Sequence, residues 1–308
     1  MTLTVAICTG GRDSIVHTIR SLAKQSRPAD KLLVIDQSGA GKARNAVEEA
    51  EYPFAFEVVD QDAKGLSKAR NEVARRLDTD WAFFTDDDCV VSLDLVDQFH
   101  KVIHQYPEAA ILAGTCIRPL DYNPVTHDVP GVYICKQIEL NADTAMLEED
   151  FMGACLAFRK DLLEKTGAFD PYIGAGTEWP AGEECDYVFR AIAKGFTGRT
   201  NARLVVFHEY GARKRPPDDT DNGRIGNAVV LWKMRKMGCE LGTKMASRIY
   251  PAGPKKVLLS KLTFGRLFPV DLRMKRKCEI LEARLDREYD VIDGILSPKK
   301  PTVEPIEI

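Results

Sequence analysis

The sequence predicts an α/β fold with a doubly wound, mainly parallel sheet, and three observations predict it. Short apolar runs alternate with stretches of helical period through the first 115 residues, the order that builds parallel sheets with right-handed crossovers. The fourth run, Trp81-Ala82-Phe83-Phe84-Thr85, is apolar at successive positions, as suits a strand covered on both faces. It ends abruptly in Asp86, Asp87 and Asp88, and ligands of such sheets bind beyond the carboxyl ends of the strands. Adjacent carboxylates repel one another, so three of them at a strand end are explained if a cation offsets the charge. Oxygen ligands of this kind suit Mg2+ or Mn2+. The alternative is a solvated acidic turn, screened by water and salt.

Each element follows from local chemistry. Residues 3–8 form the first strand; Gly10 and Gly11 bend the chain, and Asp13 can cap a helix with Ile15, Ile19 and Leu22 on one face. Residues 31–35 form a second strand that ends at Asp36, and Gln37-Ser38-Gly39 leads into a helix over 42–51. A third strand over 54–59 precedes a helix that opens at Gly65 and reaches about Leu77. Ser92 can cap a helix over 93–104; strands follow over 109–116, 131–139 and 151–158. Small residues at the centre of the last, Gly153 among them, either let a ligand approach the backbone or mark tight packing. Residues 186–194 read as helix and 203–207 as the final strand, closed by His208. Such a histidine is ordinarily a partly buried polar residue with a satisfied hydrogen bond.

At 308 residues the chain has room for one large domain or two moderate ones. Apolar residues at 44% and charged residues at 29% are ordinary for a globular protein. A net charge of −3 and a pI near 6.0 exert no global pull on nucleic acid, and no nucleic-acid partner is expected. The N-terminus lacks the basic and long apolar regions of a secretory signal, and no stretch is long enough to span a bilayer, so a cytoplasmic location is expected. Cysteines at 8, 89, 116, 135, 155, 185, 239 and 278 show no short paired spacing, so neither zinc nor a disulfide framework is expected.

The strand ends carry residues suited to a nucleotide. Thr9, Gly11 and Arg12 stand at the first, Asp36 at the second, and Lys64, Gly65 and Arg70 precede the acidic strand. A carboxylate such as Asp36 can accept from a uracil or guanine N–H, and Arg70 can meet phosphate in a forked geometry. Singly these are turns, bends and solvated arginines; their joint placement carries the signal. The series Val5-Ala6-Ile7-Cys8-Thr9, Val34-Ile35-Asp36-Gln37-Ser38, Gly65-Leu66-Ser67-Lys68-Ala69-Arg70-Asn71 and Phe84-Thr85-Asp86-Asp87-Asp88 resembles the inverting glycosyltransferases of family two, which have the GT-A fold. Gly182-Glu183-Glu184-Cys185-Asp186, Arg190 and His208 extend the resemblance over roughly the first 210 residues.

The resemblance implies that Asp36 binds the base and that Asp86, with Asp87, lies on the donor near the ribose. It implies that Asp88 holds a divalent cation, Mn2+ or Mg2+, on the diphosphate, with His208 as a further metal ligand. The second acid of the later acidic pair is the family's catalytic base, which implies Glu184; glutamate stands there in place of the usual aspartate, and Glu183 is the other candidate. The donor implied is a nucleotide-diphospho-sugar and the acceptor a saccharide or lipid-linked saccharide.

Residues 209–222, with Arg213, Lys214 and Arg215 but no apolar period, read as a mobile loop able to close over the donor. Residues 224–237 and two stretches after Pro254 read as helices, with Lys255, Lys256, Lys261, Arg266, Arg273, Lys275, Arg276 and Lys277 among apolar residues. Such a region packs on the catalytic domain, pairs subunits into a homo-oligomer, or touches the inner face of a membrane. The expected division is a catalytic domain over 1–222, a helical region over 223–296 and a disordered tail over 297–308. The expected activity is metal-dependent inverting glycosyl transfer in polysaccharide or glycan biosynthesis. Two rivals stand. Asp86 to Val90 also fits the Asp-x-Asp-x-Val pattern of haloacid-dehalogenase-like phosphohydrolases, and an inactive transferase-like domain could bind glycans.

Overall fold

The computed structural model describes residues 1–48, 51–123, 125–142, 151–214, 222–239 and 272–299. Among these, strands β1 (Leu3–Thr9), β2 (Lys31–Asp36), β3 (Ala55–Asp60) and β4 (Trp81–Asp86) alternate with helices α1 (Ile15–Ala23), α2 (Lys42–Glu48) and α3 (Leu66–Arg76). The four strands are parallel and lie in the order β3-β2-β1-β4. The chain steps outward from β1 to β3 and then returns to the other side of β1, so the topological switch point falls between β1 and β4. Thr9 is in register with Asp36, Asp36 with Asp60, and Cys8 with Asp86, which sets the polar strand ends at one level of the sheet.

The nine-stranded sheet continues through β9 (Leu156–Arg159), β6 (Ile111–Ile117), β10 (Gly198–Phe207) and β5 (Val90–Val91), with β8 (Glu139–Leu140) also on β10. β9 is antiparallel to both β4 and β6. Alternate strand residues feed two cores. Val5, Ile7, Trp81 and Phe83 meet Ile15 and Ile19 of α1 and Phe99 of α4 (Leu95–Gln105) on one face. Ala6, Ala82 and Phe84 meet Val73 of α3, Leu162 of α5 (Lys160–Thr166) and Tyr187 of α6 (Glu183–Ala193) on the other. Both faces of β4 are thus covered, which is why its sequence is apolar at successive positions.

Local details depart from expectation for identifiable reasons. Asp13 does not cap α1; its carboxylate pairs with Lys42 at 2.8 Å. Ser92 does not cap α4 either: its carbonyl accepts from Leu95 N–H, and the helix begins there. The strand expected over 131–139 is reduced to a bridge between Val132 and Cys116 and the short β8. Gly153, Ala154 and Cys155 form a single 3-10 turn ahead of β9. α6 starts three residues earlier than the periodicity suggests, which places Glu183 and Glu184 in its first turn, where acids suit the helix dipole.

Beyond the sheet, α7 (Asn222–Lys236) and α8 (Leu272–Glu288) bury Val229, Trp232 and Leu285 in the core that lies against α3, α5 and α6. A hairpin of β12 (Tyr289–Ile292) and β13 (Ile295–Pro298) follows. It corrects the expected all-helical region, and it shortens the expected tail, since Ser297 and Pro298 pair with Asp290 and Tyr289. Its turn residues Asp293 and Gly294 have φ of 50° and 78°, the left-handed pair that a two-residue hairpin loop requires. The expected loop over 209–222 also begins with regular structure: Arg213 and Lys214 form β11 (Arg213–Lys214) and pair antiparallel with β7 (His127–Asp128). Arg215, Lys255, Lys256, Lys261, Arg266 and residues 300–308 lie outside the described residues. Among the described residues, no helix is long and apolar enough to cross a membrane.

Candidate active site

The carboxyl end of β4 turns its acids in different directions. Asp87 is buried and folds back on the loop after β1, where Thr9 Oγ1 donates to its Oδ2 at 2.6 Å and Arg12 to its Oδ1 at 3.2 Å. Gly11 N–H donates to Thr9 Oγ1 at 2.9 Å. Gly11 has φ 98°, and a Cβ there would press into the Ser38 side chain, so glycine is needed for the loop to lie against the end of β2. Asp88 is 1% exposed. Its Oδ2 accepts from Arg12, with Arg213 of β11 at 4.0 Å, and its Oδ1 lies 3.0 Å from His208 Nε2.

His208 follows β10, and its Nδ1 lies 3.0 Å from the Pro130 carbonyl. A carbonyl and a carboxylate both accept, so without a cation both ring nitrogens donate; with Nδ1 held by the Pro130 carbonyl, Nε2 is the nitrogen turned to the acids, the orientation typical of a metal-ligating histidine. Burial opposes the imidazolium, but Cys116, Asp86 and the Pro130 carbonyl outweigh it and raise the His208 pKa. Single ligand atoms of Asp86, Asp88, Cys89 and His208 all lie within 4.8 Å of one another. Two carboxylates and an imidazole at that spacing fit a divalent cation. Asp86, expected on the ribose, therefore stands among the possible metal ligands.

The fold also gathers thiols that the sequence spacing did not reveal. Cys89 and Cys116 are buried beside His208. Hydrogen bonding from Cys89, opposed by burial and reinforced by His208, brings the Cys116 thiol down to about 6, whereas the same pairing and burial push Cys89 up. The two residues come from the ends of β4 and β6, and no local pattern joins them.

Asp36 stands at the same level, buried, with its carboxylate accepting from Ser38 N–H at 2.7 Å and Ala43 N–H at 3.2 Å. A carboxylate has about four acceptor positions, so capacity for a base N–H remains. Gln37, which sequence reasoning passed over, organises the adjoining loop. Its Nε2 donates to Gln61 Oε1 at 2.7 Å and to the Gly65 carbonyl at 3.1 Å, its Oε1 accepts from Gly65 N–H at 3.2 Å, and its carbonyl accepts from Lys64.

A second cluster lies at the start of α6. Arg70, expected on phosphate, is instead buried under Phe84 and Phe169, with its NH1 3.0 Å from Glu183 Oε1. A guanidinium withdrawn from water needs a carboxylate, and Glu183 supplies it. Of the two readings of Gly153, tight packing has an observation behind it: a Cβ there would collide with the Arg70 guanidinium, so the absent side chain makes room for Arg70. Glu184 is half-buried, and among the described residues its Oε2 is buried without a hydrogen-bond partner. The loop before α6 is held firmly. Leu66 N–H donates to Ala175 O at 2.9 Å, while Glu178 accepts from Arg284 of α8 at 2.6 Å and from Tyr289.

Burial, followed by the negative charge of Glu184, raises the Glu183 pKa to about 8 against the pull of Arg70. A carboxyl whose pKa rises on folding binds a proton more tightly in the folded state. Its contribution is full below the ordinary value of 4.5 and is lost as pH rises through about 8. Denaturant unfolding from pH 5 to 9 should show wild-type stability falling over that window and Glu183→Gln falling less; parallel profiles would refute the assignment.

A doubly wound sheet with acids, arginines and a histidine gathered at its switch point defines a nucleotide-binding α/β domain of the GT-A type. The model of glycosyl transferase family 2 matches residues 4–167, and the chain belongs to that family. No curated protein sequence is significantly similar. Among solved structures, S. aureus TarS 1-349 in complex with UDP has a TM-score of 0.59 at 15% identity, covering 99% of this chain and 98% of that one. The mannosyltransferase PcManGT from Pyrobaculum calidifontis, in complex with GDP-Man and Mn2+, has a TM-score of 0.54 at 18% identity, covering 92% and 86%. Against another S. aureus TarS structure, with a TM-score of 0.53 at 15% identity, the match covers 76% of this chain but only 40% of that one. These likenesses establish the fold. Asp86 closes the fourth strand in sequence, and the family is that of the transferases, so the haloacid-dehalogenase reading is set aside.

Proposed function

We propose that the chain transfers a sugar from a nucleotide-diphospho-sugar to an acceptor hydroxyl with inversion, assisted by Mn2+ or Mg2+. The observation that carries this reading is the convergence of Asp86, Asp88 and His208 at the switch point, with Arg12 and Arg213 beside them. The neighbours with UDP and with GDP-Man and Mn2+ support it by analogy of fold. Asp36 and the Gln37-organised loop receive the nucleoside. Asp88 and His208, with Asp86, would hold the cation, which supplies charge neutralisation for the departing diphosphate. Arg12 and Arg213 add positive charge there. Glu184 takes the proton from the acceptor hydroxyl as it attacks the anomeric carbon from the face opposite the leaving group. Its unpartnered oxygen favours this role over that of Glu183, which is committed to Arg70.

Asp88→Asn tests the cation site, because the amide keeps the shape and removes the charge. Thermal shift with UDP or GDP should show Mn2+-dependent stabilisation in the wild type, since a ligand bound only to the folded state stabilises it by mass action, and none in the variant. An undiminished metal requirement in the variant would remove Asp88 from the ligand set.

A further inference from the structure

We propose that Arg12 is an exchangeable counter-ion: its guanidinium neutralises Asp87 and Asp88 until a divalent cation displaces it, and it then turns to the donor diphosphate, so that cation and donor bind cooperatively. The inference rests on the reading of the site as a nucleotide-diphospho-sugar site and adds an order to its filling.

Asp88 Oδ2 is the contested atom. It accepts from Arg12 and has Arg213 at 4.0 Å, while Oδ1 faces His208. A divalent cation held by Asp86, Asp88 and His208 needs the oxygen that Arg12 engages. With both arginines in place, it would set four positive charges against the three carboxylates. Both guanidiniums approach the same Asp88 oxygen. Positive charge added here drives a guanidinium off, and a diphosphate is the anion that restores balance.

Arg12 is built to leave and Asp88 is not. The Arg12 side chain is 42% exposed, that of Asp88 1%. Arg12 follows Gly10, whose surroundings are open, and Gly11, whose loop is fastened through Thr9 to Asp87 at 2.6 Å. The guanidinium can therefore swing on its stem while the loop stays anchored. Arg213 sits farther from Asp88, on β11, and plays the smaller part.

The test measures Mn2+ affinity by electron paramagnetic resonance of the free ion, with and without saturating UDP or GDP. Linked sites of this kind commonly couple by about 5- to 150-fold. Wild-type protein should bind Mn2+ weakly alone and at least about tenfold more tightly with diphosphate. Arg12→Gln should bind Mn2+ alone about tenfold more tightly than wild type, and diphosphate should then add little. Arg12→Lys keeps the charge and should keep the coupling. Arg213→Gln should shift Mn2+ affinity in the same direction by less, and it serves the same purpose should Arg12→Gln fail to fold. Unchanged Mn2+ affinity in Arg12→Gln and Arg213→Gln, with diphosphate enhancement intact, would overturn the exchange while leaving the site reading standing. Absence of Mn2+ binding to wild type in both conditions would overturn the site reading as well.

Discussion

Glu184→Gln is expected to lower turnover by about a hundredfold to ten-thousandfold, the usual worth of a general base, while nucleoside diphosphate affinity stays unchanged. The amide keeps the reach of the side chain and loses the negative charge and the basicity that take a proton. Glu183→Gln should cost less. Burial already favours the neutral form of Glu183, which the amide resembles, and Arg70 can still donate to the amide oxygen. Single-turnover measurements on both variants, with donor binding measured separately, decide the matter. Lost turnover in Glu183→Gln with Glu184→Gln active would exchange the two roles.

Lys233→Met is expected to destabilise the fold by about 3–5 kcal/mol, the usual cost of breaking a buried charge cluster by removing one member. Lys233, on α7, is fully buried, with its Nζ 2.7 Å from Asp170 Oδ2 and 2.6 Å from Asp186 Oδ1. Arg190 reaches Asp186 at 2.9 Å, and Leu296 N–H of β13 donates to Asp170 at 2.8 Å. Removing the ammonium leaves two buried carboxylates with one guanidinium between them. For a chain of this size the melting temperature should drop on the order of ten degrees. The damage should also reach the chemistry, because Asp186 stands two residues after Glu184 in the first turn of α6. A melting temperature within a degree or two of wild type would show that the ion cluster adds nothing to stability.

The sequence by itself determined the parts of this protein written in adjacent residues. The alternation of strands and helices, the double burial of β4 and the acids at its end follow from the period and polarity of short segments, so the sheet and the acidic end of β4 were legible. The hairpin of β12 and β13 was legible too, through Asp293-Gly294 between Val291-Ile292 and Ile295-Leu296, but it was masked by the helical pattern before it. Tertiary structure alone decided which charges meet. Arg70 on α3 has the composition of a solvated helix residue until Gly153 and Glu183, far along the chain, enclose it. Lys233 looks like one basic residue among several on α7, yet the fold buries it between Asp170 and Asp186. Cys89 and Cys116 become neighbours only when β4 and β6 end beside His208. Periodicity and turn chemistry act over a few residues, whereas the partner of a buried charge or thiol is set by the path of the chain across the whole sheet.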